Sequence, residues 1–202
     1  MSIRDVFFDI GGVLVSNGWG HEQRAAAVAH FDLAAADLAD RHEEAVASWE
    51  AGGMTIDEYL TGIVFYRERP FTRETFTQFM FAQSQPFPKT IDVARALART
   101  GRYRLMTINN ESAELNTYRL RRFGLTEMFV AFFSSCWVGA TKPSRHIYER
   151  ALAMSQAEPA AAVFIDDRER NLDVPRALGL HTIHYHDADD LQAALAALGV
   201  TS

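Results

Sequence analysis

The chain is poor in cysteine, with one residue, Cys136, among 202. A single thiol forms no intrachain disulfide and is too few for a cysteine-built zinc site, so the expected compartment is the cytosol. Long apolar runs are missing as well. The clearest uncharged stretch, Met128 to Thr141, is broken by Ser134, Ser135 and Gly139 and falls short of the ~20 apolar residues a bilayer requires. Near the amino terminus, Val6-Phe7-Phe8 is flanked by Asp5 and Asp9 and followed by no small-residue cleavage site. It reads as a buried strand and not as a signal peptide. Positive charge is in deficit too: 20 Lys+Arg stand against 26 Asp+Glu, a formal net charge of −6. Nucleic acid backbones and anionic membranes attract net positive fields, so neither is expected as a partner. Internal repeats, low-complexity tails and charge blocks do not occur.

What is present suits a folded domain. With 48% hydrophobic residues, the chain is long enough for one full core and a small appendage. Ile3 to Phe8 reads as a strand that ends at Asp9, and the pair Gly11-Gly12 after it permits a tight turn. From about Trp19 to Phe87 the pattern becomes amphipathic and Ala-rich, with about four helices expected and no alternating segment. Thr55-Ile56-Asp57-Glu58 fits a capping box and opens one of these helices, carrying Tyr59, Leu60, Ile63 and Val64. Trp19, Trp49, Phe65, Tyr66 and Phe81 read as packing residues of this insertion.

After Pro88 strands and helices alternate. Helices are expected at Asp92 to Arg99, at Ser112 to Phe123, after Pro143, near Asn171 to Leu178 and at Asp189 to Leu198. Strands are expected at Tyr103 to Ile108, Phe129 to Phe133, Ala161 to Ile165 and His181 to Tyr185. Pro175 fits the Asn171 to Leu178 helix only if that helix starts late or bends. Strands separated by single helices imply an α/β fold, a doubly wound parallel sheet with right-handed crossovers. The expected organisation is therefore a Rossmann-like core of residues 1–17 and 88–202, with a helical cap inserted at 18–87.

Open parallel sheets bind ligands outside the carboxyl ends of their strands. Asp9, Thr107 and the pair Asp166-Asp167 all fall near such ends. Like carboxylates on one rim repel unless a cation holds them together, and hard oxygen ligands without histidine or cysteine suggest Mg²⁺. Lys142 lies in a loop opening on the same rim, where its ammonium could neutralise a phosphoryl oxygen. Asn109 and Asn110 read either as loop and capping residues or as part of a phosphate pocket. Cys136 reads as a small buried hydrophobe, and His181, His184 and His186 as strand-edge residues. Asp9, Thr107, Lys142 and the pair Asp166-Asp167 together suit a phosphoryl-transfer site.

Four segments together carry a family resemblance. They are Phe8-Asp9-Ile10-Gly11-Gly12-Val13-Leu14, Leu105-Met106-Thr107-Ile108-Asn109-Asn110, Lys142-Pro143 with Ile147-Tyr148, and Phe164-Ile165-Asp166-Asp167 followed by Asn171. In this order the chain resembles a haloacid dehalogenase-like (HAD) hydrolase with a small helical cap, nearest in pattern to the glucose-1-phosphate phosphatase branch. The resemblance implies Asp9 as a nucleophile that forms an aspartyl-phosphate. It implies magnesium on Asp9, the Gly11 carbonyl and Asp166 or Asp167, with Thr107 and Lys142 on the phosphoryl group.

One position departs from the phosphatase pattern. A second aspartate usually follows the nucleophile by two residues and shuttles a proton, and here that position is Gly11. Loss of such help is typically worth ~10²–10⁴ in rate. It implies substrates with good leaving groups or a substitute donor, with a water and His21 as the candidates. The expected function is Mg²⁺-dependent hydrolysis of a small phosphorylated metabolite by a monomer or homodimer. The alternatives are a metal-free 2-haloacid dehalogenase using Asp9 and a catalytically silent phosphate-ligand-binding protein.

Overall fold

The computed structural model describes residues 2–202. Five strands, β1 (Asp5–Phe8), β2 (Arg104–Asn109), β3 (Ala131–Ser134), β4 (Ala162–Asp166) and β5 (His181–His184), pair in parallel in the order β3-β2-β1-β4-β5. The register aligns Phe8 with Thr107 on one side and with Ile165 on the other. Central β1 is buried at every residue, as expected of a parallel strand covered on both faces.

Alternation along the strands divides the core in two. Val6, Phe8, Leu105, Val163 and Ile165 pack with residues of α5 (Pro88–Arg99) and α10 (Ala188–Ala197). Phe7, Met106, Ile108 and Phe164 pack on the opposite face against Ile147, Tyr148 and Ala151 of α8 (Arg145–Ser155). Helix α5 begins four residues before the sequence expectation, because Pro88 sits in the first turn, where a missing N–H costs nothing. Pro175 is accommodated in the same way in the late-starting α9 (Asp173–Ala177).

Between β1 and α5 lie four helices, α1 (His21–Phe31), α2 (Ala35–Glu50), α3 (Ile56–Ile63) and α4 (Arg73–Ala82). The expected capping box opens α3: Glu58 N donates to Thr55 Oγ1 at 3.2 Å, and Thr55 N donates to Glu58 Oε2 at 2.8 Å. These helices bury their own apolar cluster, built on Trp19, Phe31, Trp49, Tyr59, Phe76 and Met80. Leu115 of α6 (Ala113–Arg122) joins that cluster and ties it to the sheet domain. A second seam runs from the end of α2 to the short α7 (Ser135–Val138), where the Ser135 hydroxyl donates to the Glu50 carbonyl at 2.6 Å.

Candidate active site

Parallel pairing brings the strand ends to one edge, and four charged side chains meet there. Asp9 follows β1, its amide donating to the Ile165 carbonyl of β4 at 2.8 Å. Asp166 ends β4, Asp167 follows it, and Lys142 enters from the loop between α7 and α8. The Lys142 ammonium lies 2.8 Å from Asp9 Oδ2 and 2.7 Å from Asp166 Oδ2. All three of these residues are buried. Burial alone would pull the ammonium pKa down, but the two carboxylates outweigh it and hold it above the usual lysine value.

The carboxylates differ in how they are held. Asp166 Oδ1 accepts from the Arg168 amide and from Asn171 Nδ2, both at 2.9 Å, so with Lys142 both of its oxygens are engaged. Asp9 Oδ1 accepts only from the Ile10 amide, at 2.7 Å. Burial, checked by Lys142 and reinforced by Asp166 and Asp167, pushes the Asp9 carboxyl up to about 7. Asp167 is raised as well, by burial and then by Asp166, and its buried Oδ1 has no partner among the described residues.

These observations bear on a metal. Asp9, Asp166 and Asp167 each offer an oxygen within 4.8 Å of the others, and one ammonium bridges two of them. An orphaned buried carboxylate oxygen in that group fits a hard divalent cation such as Mg²⁺. Asp166 takes three protein donors and Asp9 two, whereas Asp167 Oδ1 has none among the described residues, so Asp167 offers the open oxygen and Asp9 is the less engaged of the other two.

Of the three remaining sequence candidates, the structure brings Asn110 to the cavity and leaves Thr107 and Asn109 off its wall. Thr107 does not line the site cavity. It lies two residues inside the end of β2, paired with Phe8, on the face of Leu105, and its buried hydroxyl has no partner among the described residues. Asn109 is turned away as well, donating to Asn116 Oδ1 at 3.1 Å and accepting from Ser134 Oγ at 2.9 Å. Asn110 does reach the cavity, but its amide is committed to the Lys142 backbone. Its Nδ2 donates to the Lys142 carbonyl at 3.0 Å, and its Oδ1 accepts from the Lys142 amide at 2.7 Å. Asn110 thus fixes the loop that aims the lysine.

The cavity beside these groups has a volume of about 470 Å³, and its wall comes from both halves of the molecule. Asp9, Gly11 and Lys142 lie on the sheet side, while Trp19, Arg24, His42, Trp49 and Glu50 come from the helical insertion. Sequence reasoning missed the buried pair Glu111 and Arg119, joined at 2.9 Å, which also lines the cavity. Arg119 was hidden among the basic residues Arg121 and Arg122 that end the polar helix α6, and the acid of Glu111 carried no motif. Burial raises the Glu111 carboxyl while Arg119 pulls it back. Cys136, expected to be buried, is only half-buried.

The model for haloacid dehalogenase-like hydrolases matches residues 3–179. The chain belongs to that family of hydrolases. A HAD family enzyme from Bacteroides thetaiotaomicron superposes with a TM-score of 0.82 at 18% identity, covering 96% of this chain and 99% of that one. The same enzyme has been crystallised with magnesium and inorganic phosphate. An L-2-haloacid dehalogenase shares the fold at a TM-score of 0.61 and 20% identity, over 90% of this chain and 83% of that one. Among curated proteins, bifunctional epoxide hydrolase 2 of Sus scrofa is 24% identical over 94% of this chain. The match spans 37% of that relative's length, so the HAD-like chain corresponds to about a third of it. Among the described residues, no helix is long and apolar enough to cross a membrane.

Proposed function

We propose that this HAD-like hydrolase is a Mg²⁺-dependent phosphomonoesterase of small metabolites that works through an aspartyl-phosphate on Asp9. The observation that carries the reading is the cluster of Asp9, Asp166 and Asp167 with Lys142 between the first two, Asp9 and Lys142 lying on the wall of a polar cavity. A haloacid carboxylate would find three crowded acids there, whereas a metal-bound phosphoryl group is attracted. Support also comes from the Bacteroides relative, which binds magnesium with inorganic phosphate.

Asp9, Asp167 and the Gly11 carbonyl would hold the metal, which when bound neutralises carboxylate and phosphoryl charge. An Asp9 carboxylate oxygen attacks phosphorus, and the bond from phosphorus to the alcohol oxygen breaks. Water then attacks the aspartyl-phosphate and releases inorganic phosphate. Lys142 orients Asp9 throughout and spreads the charge on the transferring group, itself held by Asp166 and by the Asn110 brace on its backbone. The insertion contributes the far wall of the cavity and acts as a cap that excludes water.

Hydrolysis of p-nitrophenyl phosphate tests this directly, because nitrophenolate departs without a proton. Turnover is expected with Mg²⁺, and loss with EDTA or in Asp9→Asn, the latter by on the order of 10⁴-fold or more. No turnover with Mg²⁺, together with metal-independent chloride release from 2-chloropropionate, would replace the reading with dehalogenation. Magnesium-dependent phosphate binding without turnover would make the protein a silent binder.

A further inference from the structure

Gly11 leaves a gap in proton transfer that some other group has to fill. A Cβ built on Gly11 would lie 3.5 Å from Asn17 Oδ1 and 3.6 Å from Arg119 Nη1. The ground next to the missing carboxylate is thus held by an amide and a guanidinium, neither of which gives up a proton near neutral pH. Each nitrogen of Arg119 is in any case engaged, donating to Glu111, to Ser84 Oγ and to the Ser16 carbonyl.

The titratable side chains on the cavity wall can be taken in turn. Asp9 is the nucleophile, Lys142 is ion-paired with it and with Asp166, and the arginines keep their protons near neutral pH. His21 is exposed at the start of α1, where a proton donor would exchange freely with solvent. His42 has its Nδ1 2.6 Å from the Tyr59 hydroxyl, and burial holds its pKa at about 4. Glu111 is bound to Arg119 and to the Ser112 amide. Glu50 remains. Its carboxyl makes no hydrogen bond or ion pair among the described residues, and the residue lines the cavity from the end of α2.

Although Glu50 belongs to the helical insertion, its backbone is anchored to the sheet domain. Ser135 Oγ donates to the Glu50 carbonyl at 2.6 Å and accepts from the Glu111 amide at 2.9 Å. Two residues on, Gly52 runs close over Cys136. Its φ is +78°, and a Cβ there would come within 2.9 Å of the Cys136 carbonyl carbon. A catalytic group must stay within hydrogen-bond reach of the reacting atoms, and this seam fixes Glu50 against the sheet end that bears Asp9.

We propose that Glu50 is the general acid and base that replaces the carboxylate absent at Gly11. The proposal rests on the phosphomonoesterase reading. As Asp9 bonds to phosphorus and the bond from phosphorus to the alcohol oxygen breaks, the electron pair goes to that oxygen, which takes the Glu50 proton. The Glu50 carboxylate then receives a proton from the attacking water as the bond between Asp9 and phosphorus breaks, and both side chains return to their starting state. The surroundings favour this cycle. Burial and then Glu111 push the Glu50 carboxyl up, while Arg168, Lys142 and Arg24 restrain it, and it settles at about 7. An acid with that pKa can both give and take a proton near neutrality.

The test compares Glu50→Gln with the unmodified protein on phenyl phosphate, whose leaving group needs a proton, and on p-nitrophenyl phosphate, whose leaving group does not. For phenyl phosphate kcat is expected to fall ~10²–10⁴-fold. For p-nitrophenyl phosphate the first turnover stays fast and appears as a nitrophenolate burst, followed by slow hydrolysis of the aspartyl-phosphate. In the unmodified protein kcat/KM for phenyl phosphate falls as pH rises through about 7, and Glu50→Gln lacks that limb. Equal loss on both substrates without a burst, or no loss at all, overturns the assignment. If Glu50→Gln fails to fold, the unmodified protein decides by itself: a high-pH limb for phenyl phosphate that is absent from the p-nitrophenyl phosphate burst supports Glu50, and identical profiles overturn it. An unmodified protein that hydrolyses neither substrate removes the phosphatase reading itself, a result distinct from failure of Glu50 alone.

Discussion

Gly12 and Asp167 share one small volume: a Cβ on Gly12 would lie 2.5 Å from Asp167 Cγ. The Gly12 φ of +83° belongs to the left-handed region, so the glycine both turns the chain after Asp9 and leaves room for the carboxylate beside it. Gly12→Ala is therefore expected to displace Asp167 and to raise the Mg²⁺ concentration needed for half-maximal activity by on the order of 10–100-fold. The backbone strain adds about 1 kcal/mol of destabilisation. A magnesium titration of p-nitrophenyl phosphate hydrolysis checks the first effect and a thermal melt the second. An unchanged magnesium requirement would remove Asp167 from the metal site.

Arg119 and Glu111 form an ion pair whose side chains are only 2% and 7% exposed. Removing one partner leaves the other charge buried without compensation. Arg119→Ala is expected to cost ~3–5 kcal/mol, a fall in Tm of roughly 10 °C for a chain of this size. Replacing both residues, as Arg119→Met with Glu111→Leu, should recover most of that loss, because neither member of the pair then leaves an uncompensated buried charge. Differential scanning calorimetry of the two variants tests the pair, and equal Tm losses would argue against it.

His42 makes stability depend on pH. Trp19 Nε1 donates to the Tyr59 hydroxyl at 2.9 Å, which leaves the Tyr59 proton free for His42 Nδ1. Burial and the nearby Arg24 lower the His42 pKa to about 4, below the ~6.5 of an unfolded histidine. The unfolded chain then binds the proton more tightly. The stability contributed by neutral His42 is complete above pH ~6.5 and is lost as pH falls from there towards 4, ~2 kcal/mol of it between pH 7 and pH 5. Urea midpoints at these two values should differ less in His42→Gln than in the unmodified protein. An identical pH dependence in the two proteins would show that another group carries it.

Much of the core was legible in the sequence because its signals are local. Apolar runs such as Val6-Phe7-Phe8 and Val163-Phe164-Ile165 end at acids, and in a parallel sheet such ends meet at one edge whatever the loops do. Asp9 and Asp166 could be picked out in this way, and Lys142 and the capping box at Thr55 by their own local signals, a loop opening on the same rim and a Thr-x-x-Glu spacing. Thr107 could not be placed correctly, because the exact end of a strand depends on neighbouring strands: pairing of Asn109 with Ser134 carries β2 two residues past the threonine.

The sequence by itself determined the layered α/β architecture and the residue types at the strand ends, since periodicity and strand termination are properties of contiguous residues. Only the tertiary structure decided what each polar group does. Asn110 is a brace because the Lys142 backbone lies beside it, and Asp167 rather than Asp166 has an open oxygen because Lys142, Arg168 and Asn171 saturate Asp166. Glu50 faces the cavity because a serine in another part of the chain holds the end of its helix. Charge, burial and hydrogen bonding act through space, and the partners that set them are brought together only when the insertion docks on the sheet.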